Sequence, residues 1–353
     1  LKDKRVSIHS LATAVPRYEI RQTEIAALAQ KLFSGFFSQY PMMLEVFANV
    51  GIERRYAVRP MEWYLDPRDW QDRAEVFVEE GLKLFEEVAH AAIERAGLAP
   101  DEIDHVMTVC STGIATPSIE ARALPHLGLR EDVHRLPIFG LGCAGGVSGL
   151  AIASRLAAAE PGKNVLLVVL ELCSLALRVD RNSKEDAVTA ALFGDGAAAL
   201  VLRALDGGGL GQIRGAAEHT WPDTLDVMGW TFDPIGFGVV LSRSVPQFVE
   251  RRLPPIAKRL LSSIGVPRSE VGRYVCHPGG GRVVDALEVA LKLPHGALDH
   301  ERAVLRDYGN MSAPTVLFTL ERVLRERPAK TLALSALGPG FSASLVALEP
   351  HYA

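Results

Sequence analysis

Apolar and polar positions follow two different periods along this chain. From Ala74 to Ala96, AEVFVEEGLKLFEEVAHAAIERA, the apolar positions recur at helical spacing. Phe77, Leu84, Val88 and Ala92 fall on one face and the glutamates on the other, which predicts an amphipathic helix. Gly97 and Pro100 end it. The next run, IDHVMTVCS at 103–111, predicts a buried strand. Val165–Leu172, VLLVVLEL, is apolar almost throughout, as in a central strand covered on both faces. Alternation of such helices and strands predicts a layered α/β architecture.

The pattern also repeats. FGDGAAALVL from Phe193 resembles LGPGFSASLVAL from Leu337, and Val165–Leu172 has a counterpart in TLALSAL at 331–337. The small-residue segment after Cys143 stands about as far before its strand as NMSAPTVLFTL, from Asn310, stands before its own. Matches in the same order predict two related halves, 1–204 and 205–353, with the Gly-rich LDGGGLG at 205–211 as the seam.

Composition mainly excludes. The chain has 353 residues, 48% of them hydrophobic and 23% charged, enough for a large core. A formal net charge of -4 gives no electrostatic basis for binding nucleic acid or an anionic membrane. LKDKR is followed at once by VSIHSLATAV, with no apolar signal-type region, so no signal peptide is expected. No window reaches about 18 uncharged apolar residues, so no spanning helix is expected. The cysteines, Cys110, Cys143, Cys173 and Cys276, fit neither a zinc-ribbon spacing nor a small disulfide framework. A reducing cytoplasm is the expected location.

Each cysteine is then either an inert core residue or a nucleophile. Cys143 lies in FGLGCAGGVSGLAIA at 139–153, where a helix begins after an apolar stretch. A helix start offers unpaired N–H groups and the positive dipole end, both of which stabilise a thiolate. Glycines around it would let a substrate approach. The plainer reading is a small residue in a tight helix crossing. His277, in YVCHPGGGRVVDALEVA, ends an apolar strand and faces a glycine turn, a good place for a base or hydrogen-bond donor. The alternative is a loop histidine. Asn310, in RDYGNMSAPTVLFTLERVL, reads first as a helix N-cap. Its place in the repeat matches the Cys143 helix start, so its amide could also help form an oxyanion hole across a shared cleft.

Taken together, GCAGG, HPGG, GNMSAP and GPG at 338–340, in this order and spacing, resemble the type III polyketide synthases, chalcone-synthase-like enzymes of the thiolase fold. FGDGAAA at 193–199 and CSTGIATPS at 110–118 extend the resemblance over essentially the whole chain. It implies a homodimer of five-layered αβαβα subunits with Cys143, His277 and Asn310 as the catalytic triad. Phe193 is implied as a gatekeeper. The second gatekeeping position falls at Val239, with Phe237 two residues away. Ser111, Cys173, Ala176 and Ser312 match cavity-lining positions, and Gly338 and Gly340 the cavity floor. At the positions of Cys173 and Ala176 plant enzymes commonly carry threonine, so the small residues here imply a longer pocket.

One departure concerns coenzyme A. The family's basic CoA-phosphate residues precede the strand matching GIERRY at 51–56, and MMLEVFAN at 42–49 carries no Lys or Arg. Either Arg54, Arg55 or Arg282 takes that role, or the starter arrives on an acyl carrier protein. The implied reaction is decarboxylative condensation of malonyl-CoA onto an acyl starter held on Cys143, with no metal or redox cofactor. The expected starter is a fatty acyl-CoA, giving an alkylpyrone or alkylresorcinol. A malonyl- or aryl-primed synthase of phloroglucinol or naphthalene type is the alternative. A single-condensation ketoacyl synthase is a third possibility, although its histidine is typically followed by Gln-Ala-Asn where this chain has HPGG. A non-catalytic thiolase-fold subunit would usually lack the nucleophile that is present here.

Overall fold

The structure, a computed structural model, describes residues 5–181, 183–204 and 208–352. The first half opens with β1 (Val6–Ala14). A short ribbon of β2 (Tyr18–Arg21) and β3 (Arg54–Ala57) brackets the helices α1 (Gln22–Leu32), α2 (Ser34–Gln39) and α3 (Glu45–Asn49). Then come α4 (Trp70–Arg95), β4 (Ile103–Val109), α5 (Ile119–Leu127), β5 (His134–Ile138), α6 (Gly145–Ala159), β6 (Asn164–Leu172), α7 (Lys184–Leu192) and β7 (Asp195–Ala204). The second half holds β8 (Gly211–Thr220), the hairpin β9 (Met228–Asp233) and β10 (Gly236–Leu241), and α8 (Val245–Ser263). It continues with β11 (Val271–Cys276), α9 (Gly281–Ala290), α10 (Asp299–Tyr308), α11 (Thr315–Leu324), β12 (Thr331–Gly338) and β13 (Ser342–Pro350).

The repeat read from sequence reappears as topology. The large sheet runs β11-β12-β13-β8-β1-β7-β6-β4-β5. In the first half, β4 is parallel to β6, β6 antiparallel to β7, and β7 antiparallel to β1. In the second, β11 is parallel to β12, β12 antiparallel to β13, and β13 antiparallel to β8. Among the described residues β5 has no second-half counterpart. The halves join edge to edge where Val6, Ser7 and Ile8 of β1 pair with Ile213, Gln212 and Gly211 of β8. Leu205, Asp206 and Gly207 of the expected seam lie outside the described residues.

Strand alternation builds the layers. In β6, Val165, Leu167 and Val169 face the central core, while Leu166, Val168 and Leu170 face the outer one. All of β6 is buried, which is why its sequence has no polar face. The central core also takes Val147 and Leu150 of α6, Val316 and Leu320 of α11, and Leu332 and Leu334 of β12. Helices α4 and α5 cover the outer face of the first half, and α8 and α9 that of the second. The order is therefore helix, sheet, helix, sheet, helix. Helix α4 starts four residues before the expected Ala74, because the Asp69 side chain accepts from Asp72 N (3.0 Å) and caps it there.

One helical stretch among the described residues, Gly142–Ala159, is long and apolar enough to cross a membrane by length and composition. It contains α6, and 67% of it is buried inside the protein as the central layer.

Candidate active site

Cys143 sits in a single 3-10 turn, Gly142–Ala144, that runs straight into α6. The glycines around it answer to packing. Gly142 has φ +48°, and a Cβ there would stand 2.6 Å from Pro339 Cδ. A Cβ on Gly145 would be 2.7 Å from Val109 Cγ1, and one on Gly146 only 2.3 Å from the carbonyl oxygen of Ala313. The start of α6 thus lies against β4 on one side and the start of α11 on the other. At Gly145 and Gly146 the clearance expected for substrate is occupied by protein, while Gly142 lines the site cavity, so the tight helix crossing and the nucleophile position coexist. Gly146→Ala is expected to lower stability by roughly 3 kcal/mol, since backbone must move to admit the methyl. Helix propensity alone would favour alanine by about 1 kcal/mol. A urea midpoint equal to or above wild type would mean that α11 yields freely.

His277 follows β11 and extends its ladder, donating its N–H to Ser335 O (2.8 Å). His277 is 5% exposed, and neither ring nitrogen has a hydrogen-bond partner. A buried imidazole with both nitrogens idle is costly unless something polar arrives. Asn310 is not the N-cap of α11, which begins five residues later. Its Oδ1 accepts from Ser312 N (2.8 Å), and its Nδ2 donates to Gly279 O (3.2 Å) in the glycine turn after His277. Its backbone N–H donates to Leu192 O (2.9 Å) and its carbonyl accepts from Gly194 N (3.0 Å), so Phe193 is held alongside. Ser312, at φ +59°, places Oγ 3.5 Å from Cys143 Sγ. The structure therefore brings Cys143, His277, Asn310, Ser312 and Phe193 to one cavity of about 500 Å³.

Burial dominates the electrostatics of this cavity. It pushes the Cys143 thiol up to about 11, against the Ser312 hydroxyl and its own N–H, with Glu171 adding to the rise. It pushes the His277 imidazole down to about 4. Taken singly, each group is therefore held by burial toward its neutral form.

The other expected residues divide. Ser111, Cys173, Val239 and Arg282 line the same cavity. Ser111 Oγ accepts from Gly142 N (2.9 Å), and its carbonyl accepts from Trp230 Nε1 (2.9 Å), which ties the β9–β10 hairpin to the Cys143 turn. Phe237 turns into a cluster with Trp70, Trp230 and Phe232, so Val239 is the residue of that pair on the cavity wall. Ala176 is buried but does not reach the cavity. Gly338 and Gly340 do not line it either, whereas Leu337 and Pro339 do. Gly338 is pressed under the nucleophile turn, where a Cβ would stand 2.6 Å from Ala144 Cβ.

Two of the three arginines expected to meet CoA are engaged elsewhere. Arg55 is buried and donates to the carbonyls of Ala190 (2.8 Å), Phe193 (2.9 Å) and Ala191, and to Gln22 Oε1. It satisfies the last carbonyls of α7, a capping task that leaves no free face for a phosphate. Arg54 lies outside the cavity, with Glu19 and Asp307 at 3.9 and 3.8 Å. The cavity cations missed by sequence reasoning are Lys184 and Arg243. The helical spacing of Lys184, Val188 and Leu192 ahead of Phe193 was the available signal for the first. Also missed was a second, apolar cavity of about 60 Å³, lined by Ile25, Leu28, Leu32, Met61 and Leu177 among others. Cys173 and Phe193 line both cavities.

Comparison with known proteins agrees with this geometry. Residues 65–205 match the family described as chalcone and stilbene synthases, N-terminal domain, and residues 212–345 match its C-terminal domain. A 1,3,6,8-tetrahydroxynaphthalene synthase of Streptomyces peucetius subsp. caesius is 35% identical, over 98% of this chain and 94% of that protein. A putative chalcone synthase of Bacillus subtilis (strain 168) is 34% identical, over 96% of this chain and 97% of that one. The crystal structure of 1,3,6,8-tetrahydroxynaphthalene synthase from Streptomyces coelicolor A3(2) superposes with a TM-score of 0.93 at 29% identity, covering 98% of this chain and all of that one. With the five-layered thiolase fold, and with both family domains matched in order, the chain belongs to the chalcone and stilbene synthase family and is a type III polyketide synthase, an acyltransferase.

Proposed function

We propose that this synthase extends an apolar, fatty acyl starter with malonyl-CoA and closes the product to an alkylpyrone or alkylresorcinol. The observation that carries this reading is the apolar cavity behind Cys173 and Phe193. An alkyl tail entering there leaves water, while its carbonyl stays at Cys143. Cys143 passes its proton to His277 as the sulfur attacks the acyl thioester, and the CoA thiolate leaves. Malonyl-CoA follows. His277 and Asn310 donate to its thioester oxygen, the C–C bond to the carboxylate breaks, CO2 departs, and the electron pair becomes an enolate. The enolate carbon attacks acyl-Cys143, and sulfur leaves with the pair. Phe193 offers an apolar wall that disfavours the charged carboxylate. These steps require no metal or redox cofactor.

A second reading rests on the relatives named as tetrahydroxynaphthalene synthases, which favour malonyl priming and a naphthalene-type product. Acyl-CoAs of graded length, incubated with malonyl-CoA and read by product mass, separate the two. The fatty acyl reading expects multiply extended products and a preference for chains beyond about six carbons. Extended products from malonyl-CoA alone, with no acyl preference, support the second. Single-extension β-keto products support a ketoacyl synthase. Ala190→Leu, which fills the small cavity, is expected to cut long-chain turnover about tenfold and leave short starters within about twofold.

A cytoplasmic homodimer is part of the same reading. β5 is the last strand of the sheet, and Ile114 and Phe139 near it are 57% and 48% exposed. A free edge beside exposed apolar groups suits a second copy.

A further inference from the structure

We infer that Arg178 is a positioning residue for chain extension: it bridges Asp180 to Asp233 and so fixes the width of the cavity between Cys173 and the β9–β10 hairpin. The role rests on polyketide extension in this cavity, whichever starter is used.

The hairpin is a wall without a frame. Met228, Trp230, Val239 and Leu241 line the cavity, yet β9 and β10 pair only with each other and not with the large sheet. A lone two-stranded hairpin is marginal in water, so side-chain ties decide where it stands. Its sequence, MGWTFDPIGFGVVL at 228–241, carries one charged residue, Asp233. Asp233 lies at the turn, where an aspartate commonly binds its own backbone. It does so here, with Oδ1 accepting from Ile235 N (2.9 Å) and Gly236 N (3.2 Å). That task needs one oxygen and no charge.

Arg178 engages the charge. Its Nη1 donates to both oxygens of Asp233, at 3.0 Å each. Its Nε donates to Asp180 Oδ1 (2.6 Å), and its Nη2 to Asp180 Oδ2. A guanidinium forked on one carboxylate has little freedom left when it grips a second. Arg178 is only 2% exposed, which weakens screening of the bridge by salt. It follows closely on the Cys173–Ala176 turn, so the bridge runs from the Cys173 wall to the hairpin wall. Two indoles also hold the hairpin, Trp70 Nε1 donating to Asp233 O (2.7 Å) and Trp230 Nε1 to Ser111 O. Among the described residues, however, Arg178 makes its only ion pair.

Arg181 braces the neighbouring strand. Asp186 of α7 holds its guanidinium, Nη2 to Oδ1 at 2.6 Å. A Cβ on Gly238 of β10 would stand 2.7 Å from Arg181 Nη1. A tie at the turn and a stop against the strand together leave the hairpin one position. A wall loosened at Asp233 would widen the cavity and admit water to the acyl thioester, so extension would end early.

The test is Asp233→Asn in the full chain. The amide keeps an oxygen for Ile235 and Gly236 and loses the charge that Arg178 grips. Hydrogen exchange read by mass should rise at least about tenfold over 228–241 and stay unchanged in β6. With malonyl-CoA and an acyl-CoA that wild type extends, the ratio of early-released to fully extended products should rise at least about threefold. Alkylation of Cys143 by iodoacetamide should stay within about twofold of wild type. Arg178→Lys, a point charge in place of the fork, should fall between Asp233→Asn and wild type in both exchange and product ratio. Unchanged exchange over 228–241 would overturn the assignment. So would raised exchange with the product ratio kept, since the bridge would then only stabilise the fold. If wild type extended no starter, the polyketide reading would fail, and exchange over 228–241 alone would decide whether Arg178 holds the wall.

Discussion

Cys143→Ala protein incubated with an acyl-CoA should carry no acyl adduct by intact mass, and its chain extension should fall by at least about 10³-fold. The competing thiol is Cys173, which lines the same cavity. Burial pushes the Cys173 thiol well up, and the carboxylates of Glu171 and Asp195 push it further. Cys143 instead has the Ser312 hydroxyl 3.5 Å from its sulfur and the positive start of α6 behind it. Cys173→Ala should therefore keep the adduct. Decarboxylation of malonyl-CoA should survive in Cys143→Ala, because the variant keeps the donors proposed for the thioester oxygen, His277 and Asn310. An adduct persisting in Cys143→Ala and vanishing in Cys173→Ala would reverse the two assignments.

What the sequence revealed and what it hid differ by the range of the interaction. β6 and α4 were legible because burial on two faces, or on one, writes a period into adjacent residues. The repeat was legible because GDG and GPG lead into equivalent strands, β7 and β13. Cys143, His277 and Asn310 were legible through their turn contexts. Arg55 was not, because the carbonyls it satisfies belong to residues 190, 191 and 193, far along the chain. The glycines beside Cys143 looked like room for substrate, yet their neighbours are Val109, Ala313 and Pro339, which local sequence cannot supply. The apolar side cavity was hidden for the same reason. Helix α1 closes it against Leu177 and Ala190.

His277→Ala should slow alkylation of Cys143 by iodoacetamide at pH 7 by at least about 10²-fold and move its pH limb upward. Burial pushes the thiol up to about 11, and no charge on His277 contributes to that value. At pH 7 such a thiol is ionised to only about one part in 10⁴, and each pH unit gained raises the rate about tenfold. In the proposed mechanism the proton passes to His277, and thiolate and imidazolium would stabilise one another in a cavity that favours neither alone. The wild-type limb should therefore lie well below that of the variant. His277→Gln discriminates further. An amide can donate to a thioester oxygen but cannot hold the thiol proton, so decarboxylation should survive better than alkylation. If His277→Ala kept the wild-type limb, the start of α6 would be sufficient to ionise the sulfur, and His277 would act only on the enolate.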